Sequence, residues 1–484
     1  MNKNSFDLAE IARKQMLSRG LQPDYPKAAL SQLEQINQPA PGTPPIVDLA
    51  KLLWCSIDND DSRDLDQLTY AEKGPEDKII IYIAIADVDA LVDKDTPIDQ
   101  HAQVNTTTVY TPGKIFPMLP EKLSTNLTSL NEGENRVAIV VKAVINVSGE
   151  VEESSILHAL VHNYAQLTYN AVGAWFEGTG GIPANVAEHP GLAENLQLQS
   201  QAAERLRAKR YAIGALSLET PEAVPLFSGG RIVDLEPATT NKAHHLIEDF
   251  MIAANTSIAR FLAKEKIPSL RRIVRVPKRW DKIVDLAQEK GFQLPSEPDS
   301  RALDEFLVKM KQEDPVAFPD LSLSIVKLLG SGEYVVEKPG EASVGHFGLA
   351  IRDYTHSTAP NRRYPDVITQ RQIKKTLGID TINYSNNELD KLAYHCTLQE
   401  DAAEKVQRAT RKSAAALLLQ DKIGETFEGI ITGASDKGTW VRIFHPAVEG
   451  KVVKGAEGLD VNDRVIVKLL GTNVPEGYID FARI

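Results

Sequence analysis

Five aspartates (Asp58, Asp60, Asp61, Asp64 and Asp66) fall within nine residues of the segment CSIDNDDSRDLDQL, 55–68, relieved only by Arg63. Carboxylates crowded this closely repel one another, and a cation is the simplest way to hold them in a folded site. Oxygen ligands of this kind suit Mg2+, Mn2+ or Ca2+ rather than zinc or copper. An EF-hand loop starting at Asp58 is excluded, because Arg63 would stand in place of its glycine and Thr69 in place of its closing glutamate. An acidic surface turn is the plain alternative. A second constellation lies far along the chain, HFGLAIRDYTHSTAPNRRYPDVITQRQ, 346–372. It combines His346 and His356 with the paired Arg362 and Arg363 and with Phe347, Tyr354 and Tyr364. Guanidinium forks suit bidentate contact with phosphate, and aromatic faces suit stacking on bases.

Around these residues the texture of the chain predicts the elements that must position them. Residues 6–19 have helical spacing closed by Gly20, and a second helix is predicted over 26–36. The segment PAPGTPP that follows reads as a stiff, extended linker. KIIIYIAIADV (78–88) and RVAIVVKAVINV (136–147) are nearly unbroken apolar runs rich in β-branched residues, as in buried strands. Helical patterns cover 194–210, 242–266, 280–290 and 387–420. Strands and helices mixed without regular alternation predict an α+β fold. Beyond Gly424, five strand-length runs separated by Gly, Asp and Asn turns predict a small closed barrel of the OB type. The expected division is 1–49 (helical segment and linker), 50–420 (catalytic body) and 424–484 (barrel).

Composition narrows the function classes. Hydrophobic residues make up 42% and charged residues 25% of 484, the balance of an ordinary globular protein of two or three units. The longest uncharged apolar stretch, Ile79 to Ala86, is far short of the ~20 residues of a membrane span. The amino terminus has no apolar secretory core, and two cysteines are too few for a disulfide framework or a zinc cage. A cytoplasmic location is expected. With 54 basic and 66 acidic residues the net charge is −12, which argues against a general nucleic-acid coat protein. The charge is unevenly spread, however: nine basic and two acidic residues lie between Arg260 and Lys282, and six and two between Arg352 and Lys375.

The two constellations together resemble the RNB catalytic domain of the ribonuclease II and ribonuclease R family. SIDNDDSRDLDQL is similar to its metal-binding aspartate motif, Ile-Asp, five residues, Asp-x-Asp-Asp. HFGL…Y-x-H-x-T-x-P-x-R-R-Y-x-D is similar to its later motif. Between them, in family order, come AIADV (84–88), YTPGKIFPMLP (110–120), LTYNAV (167–172), GALSLETPEA (214–223) and HLIEDFMIAAN (245–255). The resemblance covers roughly residues 50–420. It implies a metal-dependent 3′→5′ exoribonuclease that hydrolyses single-stranded RNA from its 3′ end to nucleoside 5′-monophosphates with Mg2+ or Mn2+. It implies Asp58, Asp64, Asp66 and Gln67 as the metal ligands, with Asp64, Asp66 and Arg362 carrying the chemistry and Arg362 on the scissile phosphate. It further implies RNA contacts at Tyr110, Tyr169, Glu248, Arg272, His346 and Arg363.

The sequence also departs from the family pattern. Gln67 stands where the family has a second consecutive aspartate. Its carbonyl can ligate a metal but brings no charge, so weaker metal affinity is expected, and an RNA-binding protein impaired in cleavage is the alternative reading. Leu218 occupies the place of an aromatic in some members, and Val274 and Arg275 the places of a His and a Glu. The family commonly has two OB-type barrels before the catalytic domain, whereas about fifty helical residues stand there in this sequence. The predicted carboxyl-terminal barrel has eight basic against ten acidic residues from Asp421 onward. Oligomeric state is left open.

Overall fold

The computed structural model describes residues 6–42, 44–219, 223–228, 231–237, 239–315, 317–435, 438–461 and 463–484. The end of the 214–223 block, residues 220–222, therefore lies outside the described residues. Two helices come first, α1 (Leu8–Leu17), capped by the Asp7 carboxylate, and α2 (Lys27–Gln35). The sheet follows. It consists of β1 (Val47–Asp48), β2 (Trp54–Asp58), β3 (Gln67–Lys73), β4 (Ile79–Ala86), β7 (Asn135–Ile145) and β8 (Val151–Thr168), with the short hairpin β5 (Val109–Tyr110) and β6 (Ile115–Phe116) inserted after α3 (Pro97–Asn105). The sheet order is β1-β8-β2-β3-β4-β7. The 18-residue β8 pairs antiparallel with β7 along its first two thirds and parallel with β2 from Asn163 to Thr168. One strand thus joins both ends, and the sheet closes on itself.

Closure explains the unbroken apolar runs. Seven of the eight residues of β4 are buried, because one face (Ile79, Ile81, Ile83, Ile85) packs with helices and the other (Tyr82, Ala84, Ala86) lies within the curl beside Trp54 and Leu68. Against the outer face lie α4 (Tyr169–Phe176), α5 (Ala184–Ala187), α6 (Leu192–Ala212) and, after the hairpin β9 (Ala223–Ser228) and β10 (Arg231–Pro237), the 23-residue α7 (Lys242–Lys264). The ladder β11 (Ser269–Ile273) with β12 (Glu333–Glu337) brackets three helices that form their own apolar cluster, α8 (Trp280–Glu289), α9 (Ser300–Glu313) and α10 (Phe318–Leu329). The last two have no counterpart in the sequence-predicted elements. Then come α11 (Tyr364–Thr376) and the 34-residue α12 (Asn386–Leu419), which leads into the barrel.

The barrel has the predicted five strands: β13 (Thr426–Ser435), β14 (Gly438–Ile443), β15 (Val448–Lys454), β16 (Arg464–Asn473) and β17 (Tyr478–Arg483), closed in the order β13-β14-β15-β17-β16. Its alternating burial centres on Val441, Ile443, Val467, Leu469 and Phe481. A bidentate pair from Arg442 to Asp320, at 2.6 and 2.7 Å, ties it to α10. The architecture is α+β, as the mixed pattern of runs predicts. Among the described residues no helix is long and apolar enough to cross a membrane.

Candidate active site

The acidic run is the connection between two neighbouring antiparallel strands. Asp58 ends β2, Gln67 opens β3, and residues 59–66 loop between them. In the parallel ladder Asp58 lies opposite Thr168, the residue before α4, so Tyr169 is held next to Asp58. From the other end of the chain, the loop 354–363 descends on the same spot. Asp66 is buried; its Oδ1 accepts the Asn361 N–H at 2.9 Å and its Oδ2 lies 3.3 Å from Arg362 Nε. The hydroxyl of Tyr110 donates to Asp64 Oδ2 at 3.3 Å. Segments some three hundred residues apart thus build one centre of three carboxylates, an arginine and two tyrosines.

Its electrostatics are unbalanced. Burial pushes Asp58 up to about 6, with Arg362 opposing the rise and Asp64 adding to it. Burial pushes Asp66 further, to about 7, again against Arg362 and with Asp64. Tyr110 and Tyr169 are likewise raised, chiefly by burial. One guanidinium, with 46% of its side chain exposed, serves three acids. Buried carboxylates that resist ionisation for want of positive charge are a donor set a hard divalent cation fits. Among the described residues, however, no three His, Cys, Asp or Glu side chains form a ready-made metal cage. Gln67 is buried and donates its side-chain N–H to the carbonyl of Thr358.

Residues 46–379 match the RNB domain family, and residues 425–484 match the RNase II-type exonuclease C-terminal S1 domain. The chain belongs to the RNB family. Ribonuclease R of Escherichia coli (strain K12) is 30% identical over 95% of this chain and 60% of its own length, and ribonuclease R of Aquifex aeolicus is 31% identical over 88% and 61%. The chain thus spans about 60% of the length of these curated relatives. Among solved structures, Mycoplasma genitalium RNase R in complex with ribose-methylated single-stranded RNA superposes with a TM-score of 0.88 over 99% of this chain and 79% of that one, at 21% identity. A yeast pseudonuclease shares the fold at a TM-score of 0.72 over 93% of this chain and 56% of that one, at 16% identity. The RNB fold alone therefore does not separate cleaving from non-cleaving proteins.

The remaining candidates of the RNB motif occupy two other places. Tyr169 stacks on His244, ring centroids 4.0 Å apart and 15° between planes. One turn further along α7, Glu248 is about half exposed and pairs with Arg210 at 3.3 Å and His245 at 3.6 Å. Burial alone would raise Glu248; His245 and Arg210 outweigh it and hold the carboxyl below its ordinary value. Arg272, His346 and Arg363 form a second layer behind Arg362. Arg272 pairs with Glu400 and covers the Tyr334 ring at 4.8 Å. Arg363 pairs with Asp366 at 2.7 Å. His346, pulled down to about 4 by burial and by Arg272, accepts the Leu349 N–H at 3.2 Å. Arg272 and His346 reach the loop through Tyr334, which bonds His356 at 2.7 Å, and through the edge of Tyr354, while Arg363, within the loop, also carries a buried Nε without a partner.

Sequence reasoning did not find Asn361, Thr358, Thr128 and Asn255. Thr128 donates to Asn361 Oδ1 at 2.5 Å, and Asn255 Oδ1 accepts from the Ser357 N–H at 2.9 Å. Their contacts span from about one hundred to nearly three hundred residues of sequence, so no local pattern predicts those contacts. Thr358 stood in the quoted motif as its fixed threonine, Asn361 as one of its variable positions, and Asn255 as the last residue of the quoted block 245–255, but none of the three was given a role.

Proposed function

We propose that the chain is a metal-dependent exoribonuclease that degrades single-stranded RNA from the 3′ end and releases nucleoside 5′-monophosphates. The observation that supports this most is the meeting of Asp58, Asp64 and Asp66 with Arg362 in one partly buried centre, where burial drives two of the acids upward. A divalent cation, Mg2+ or Mn2+, held by Asp58, Asp64 and Asp66 would supply the charge that readies a water and steadies the departing 3′ oxygen. The protein groups do the rest. The half-exposed Arg362 offers its guanidinium to the scissile phosphate, where negative charge grows in the transition state. Tyr110, a residue 37% exposed whose hydroxyl is tethered to Asp64, presents a face for the terminal base. Tyr169, backed by His244, lines the path, and the Glu248 carboxylate accepts from ribose hydroxyls, a preference for RNA. Arg272, His346 and Arg363 act through the loop they brace.

A second reading, RNA binding without cleavage, is favoured by one feature: Gln67 adds no negative charge to the centre and spends its amide on Thr358. A time course on 5′-labelled single-stranded RNA with Mg2+, Mn2+ or EDTA separates the two. Metal-dependent shortening from the 3′ end supports the nuclease. Intact RNA in every lane, with a retarded band on a native gel, supports the binding protein.

A further inference from the structure

We infer that Gln67 is a positioning residue, a neutral strut whose carboxamide holds the Arg362 loop in register with Asp66 through the Thr358 carbonyl. The inference rests on the nuclease reading above and deepens it.

Gln67 is the first residue of β3, immediately after Asp66, and both are buried. The two side chains grip opposite ends of one turn. Asp66 Oδ1 takes the Asn361 N–H at 2.9 Å, and Gln67 Nε2 gives its proton to the Thr358 carbonyl. Flipping the amide would set Oε1 against that carbonyl, two acceptors face to face, so the donor orientation is the one the site accepts. Between these anchors the turn closes on itself: the N–H groups of Arg362 and Arg363 both donate to the Ala359 carbonyl, at 3.2 and 2.9 Å. On the far side, Asn255 holds Ser357 at 2.9 Å and approaches the Thr358 hydroxyl at 3.5 Å. Arg362 leaves this turn at once, and its carbonyl accepts from Thr108 N at 3.0 Å. A shift of residue 358 therefore moves the guanidinium relative to the carboxylates, and displacements on the order of 1 Å are costly in catalysis.

An aspartate cannot do this work. It is one methylene shorter, and its carboxylate has no proton to give a carbonyl oxygen. It would also add a fourth negative charge beside Asp66. An acid at position 67 therefore does not restore this centre to the family pattern. It withdraws a strut on which the loop of this chain depends.

The test is a double-mutant cycle. Gln67→Met keeps the length and burial without the donor, and Gln67→Glu keeps the length but exchanges the donor for a charge. Each is made alone and with Arg362→Ala. Single-turnover cleavage of RNA is followed with Mn2+, and Mn2+ affinity of the protein alone is read by electron paramagnetic resonance. Both single variants are expected to cleave about tenfold more slowly, the size of one lost buried hydrogen bond. With Arg362→Ala present they should add no further loss, and Gln67→Met should leave Mn2+ affinity unchanged. A Gln67→Glu protein that binds Mn2+ more tightly and cleaves faster would overturn the strut, as would wild-type rates in Gln67→Met or full additivity with Arg362→Ala. If either variant is poorly folded, Gln67→Asn, which keeps the donor but shortens the arm, takes its place with the same expectation. Wild-type protein that releases no mononucleotide removes the nuclease reading instead. The cycle is then run on the RNA dissociation constant, where the strut again predicts a loss that depends on Arg362.

Discussion

Two arginines nine positions apart, Arg362 and Arg371, each face aspartates, and their surroundings differ. Arg371 is wholly buried, and every arm of it is used: Nε meets Asp89 at 2.5 Å, Nη2 meets Asp99 at 2.8 Å and the Val92 carbonyl at 2.7 Å, and Nη1 meets the Tyr384 hydroxyl at 3.1 Å. Lys374, one turn on, adds a second cation between Asp87 and Asp89, at 3.3 and 2.9 Å. Burial alone would raise both acids; Lys374 and His158 hold Asp87 below the usual carboxylate range, while at Asp89 burial still outweighs Lys374 and Arg371 and leaves the carboxyl raised. Around Arg362 there is less counter-charge, since one half-exposed cation serves three acids and two of them rise to about 6 and about 7. A cluster that supports the fold brings its own counter-charges. On the proposed reading, the Arg362 cluster leaves charge to be supplied by the metal and the phosphate that bind there.

The sharpest way to break this contrast is to neutralise one acid in the first cluster and one cation of the second. Asp66→Asn should lower cleavage at least ~1000-fold, by removing a metal-binding charge from the reacting centre, while RNA retention on a filter is unchanged. Because it removes a buried, poorly compensated carboxylate, it should also raise the melting temperature of the metal-free protein by about 2 °C. Full activity in this variant would dismiss the assignment of the centre. Arg371→Met should do the opposite. Removing one partner of a buried ion network costs about 3–5 kcal/mol of stability, read as a lowered urea midpoint, whereas the folded fraction should cleave at the wild-type rate per active site. A variant with wild-type stability would mean that the Arg371 cluster is not the structural counterpart described here.

How much of this was legible in the sequence follows from the range of the forces involved. The acidic run, β4, β7, α7, α12 and the five barrel strands carry local signals of periodicity, β-branching and turn residues, and the quoted motifs placed Asp58, Asp66 and Arg362 in one centre by resemblance. The strand β8 was not predicted, because four of its first five residues are exposed and its partners change midway, so no single alternation runs through it. The helices α9 and α10 bury one stripe each against their own small cluster, and the turn residues around them mask the period. The commitments of Arg272, His346 and Arg363 to protein partners were illegible for another reason: a motif shows which residue types recur, and only packing shows whether a guanidinium faces solvent or Glu400.

A smaller change sharpens the contrast from within the first cluster. Tyr110→Phe keeps the ring that faces solvent and removes the hydroxyl that tethers it to Asp64. The expected outcome is a loss of about two- to fivefold in cleavage, the scale of one exposed hydrogen bond, with no change in melting temperature. A tenfold larger loss would show that the hydroxyl, and not the ring, is the working part.

The effect most remote from the first cluster concerns the helix that supplies Asp99 to the second. His101, two residues on in α3, is buried, packs against the tilted ring of Tyr25 of the amino-terminal segment, centroids 4.4 Å apart, and lies 3.3 Å from the Asn105 amide. Burial pulls it down to about 4, with Asp24 opposing. A histidine depressed in the folded state takes up its proton earlier when unfolded. Its cost is therefore absent above about pH 6.5 and grows as pH falls toward about 4. The wild-type protein should lose on the order of 1–3 kcal/mol more over that interval than His101→Leu, as urea midpoints at pH 7.5 and pH 5 would show. Equal losses in the two proteins would mean that His101 takes up its proton in its packed place as readily as in the unfolded chain, and that the structural side of the molecule tolerates an unbalanced charge as the Arg362 centre does.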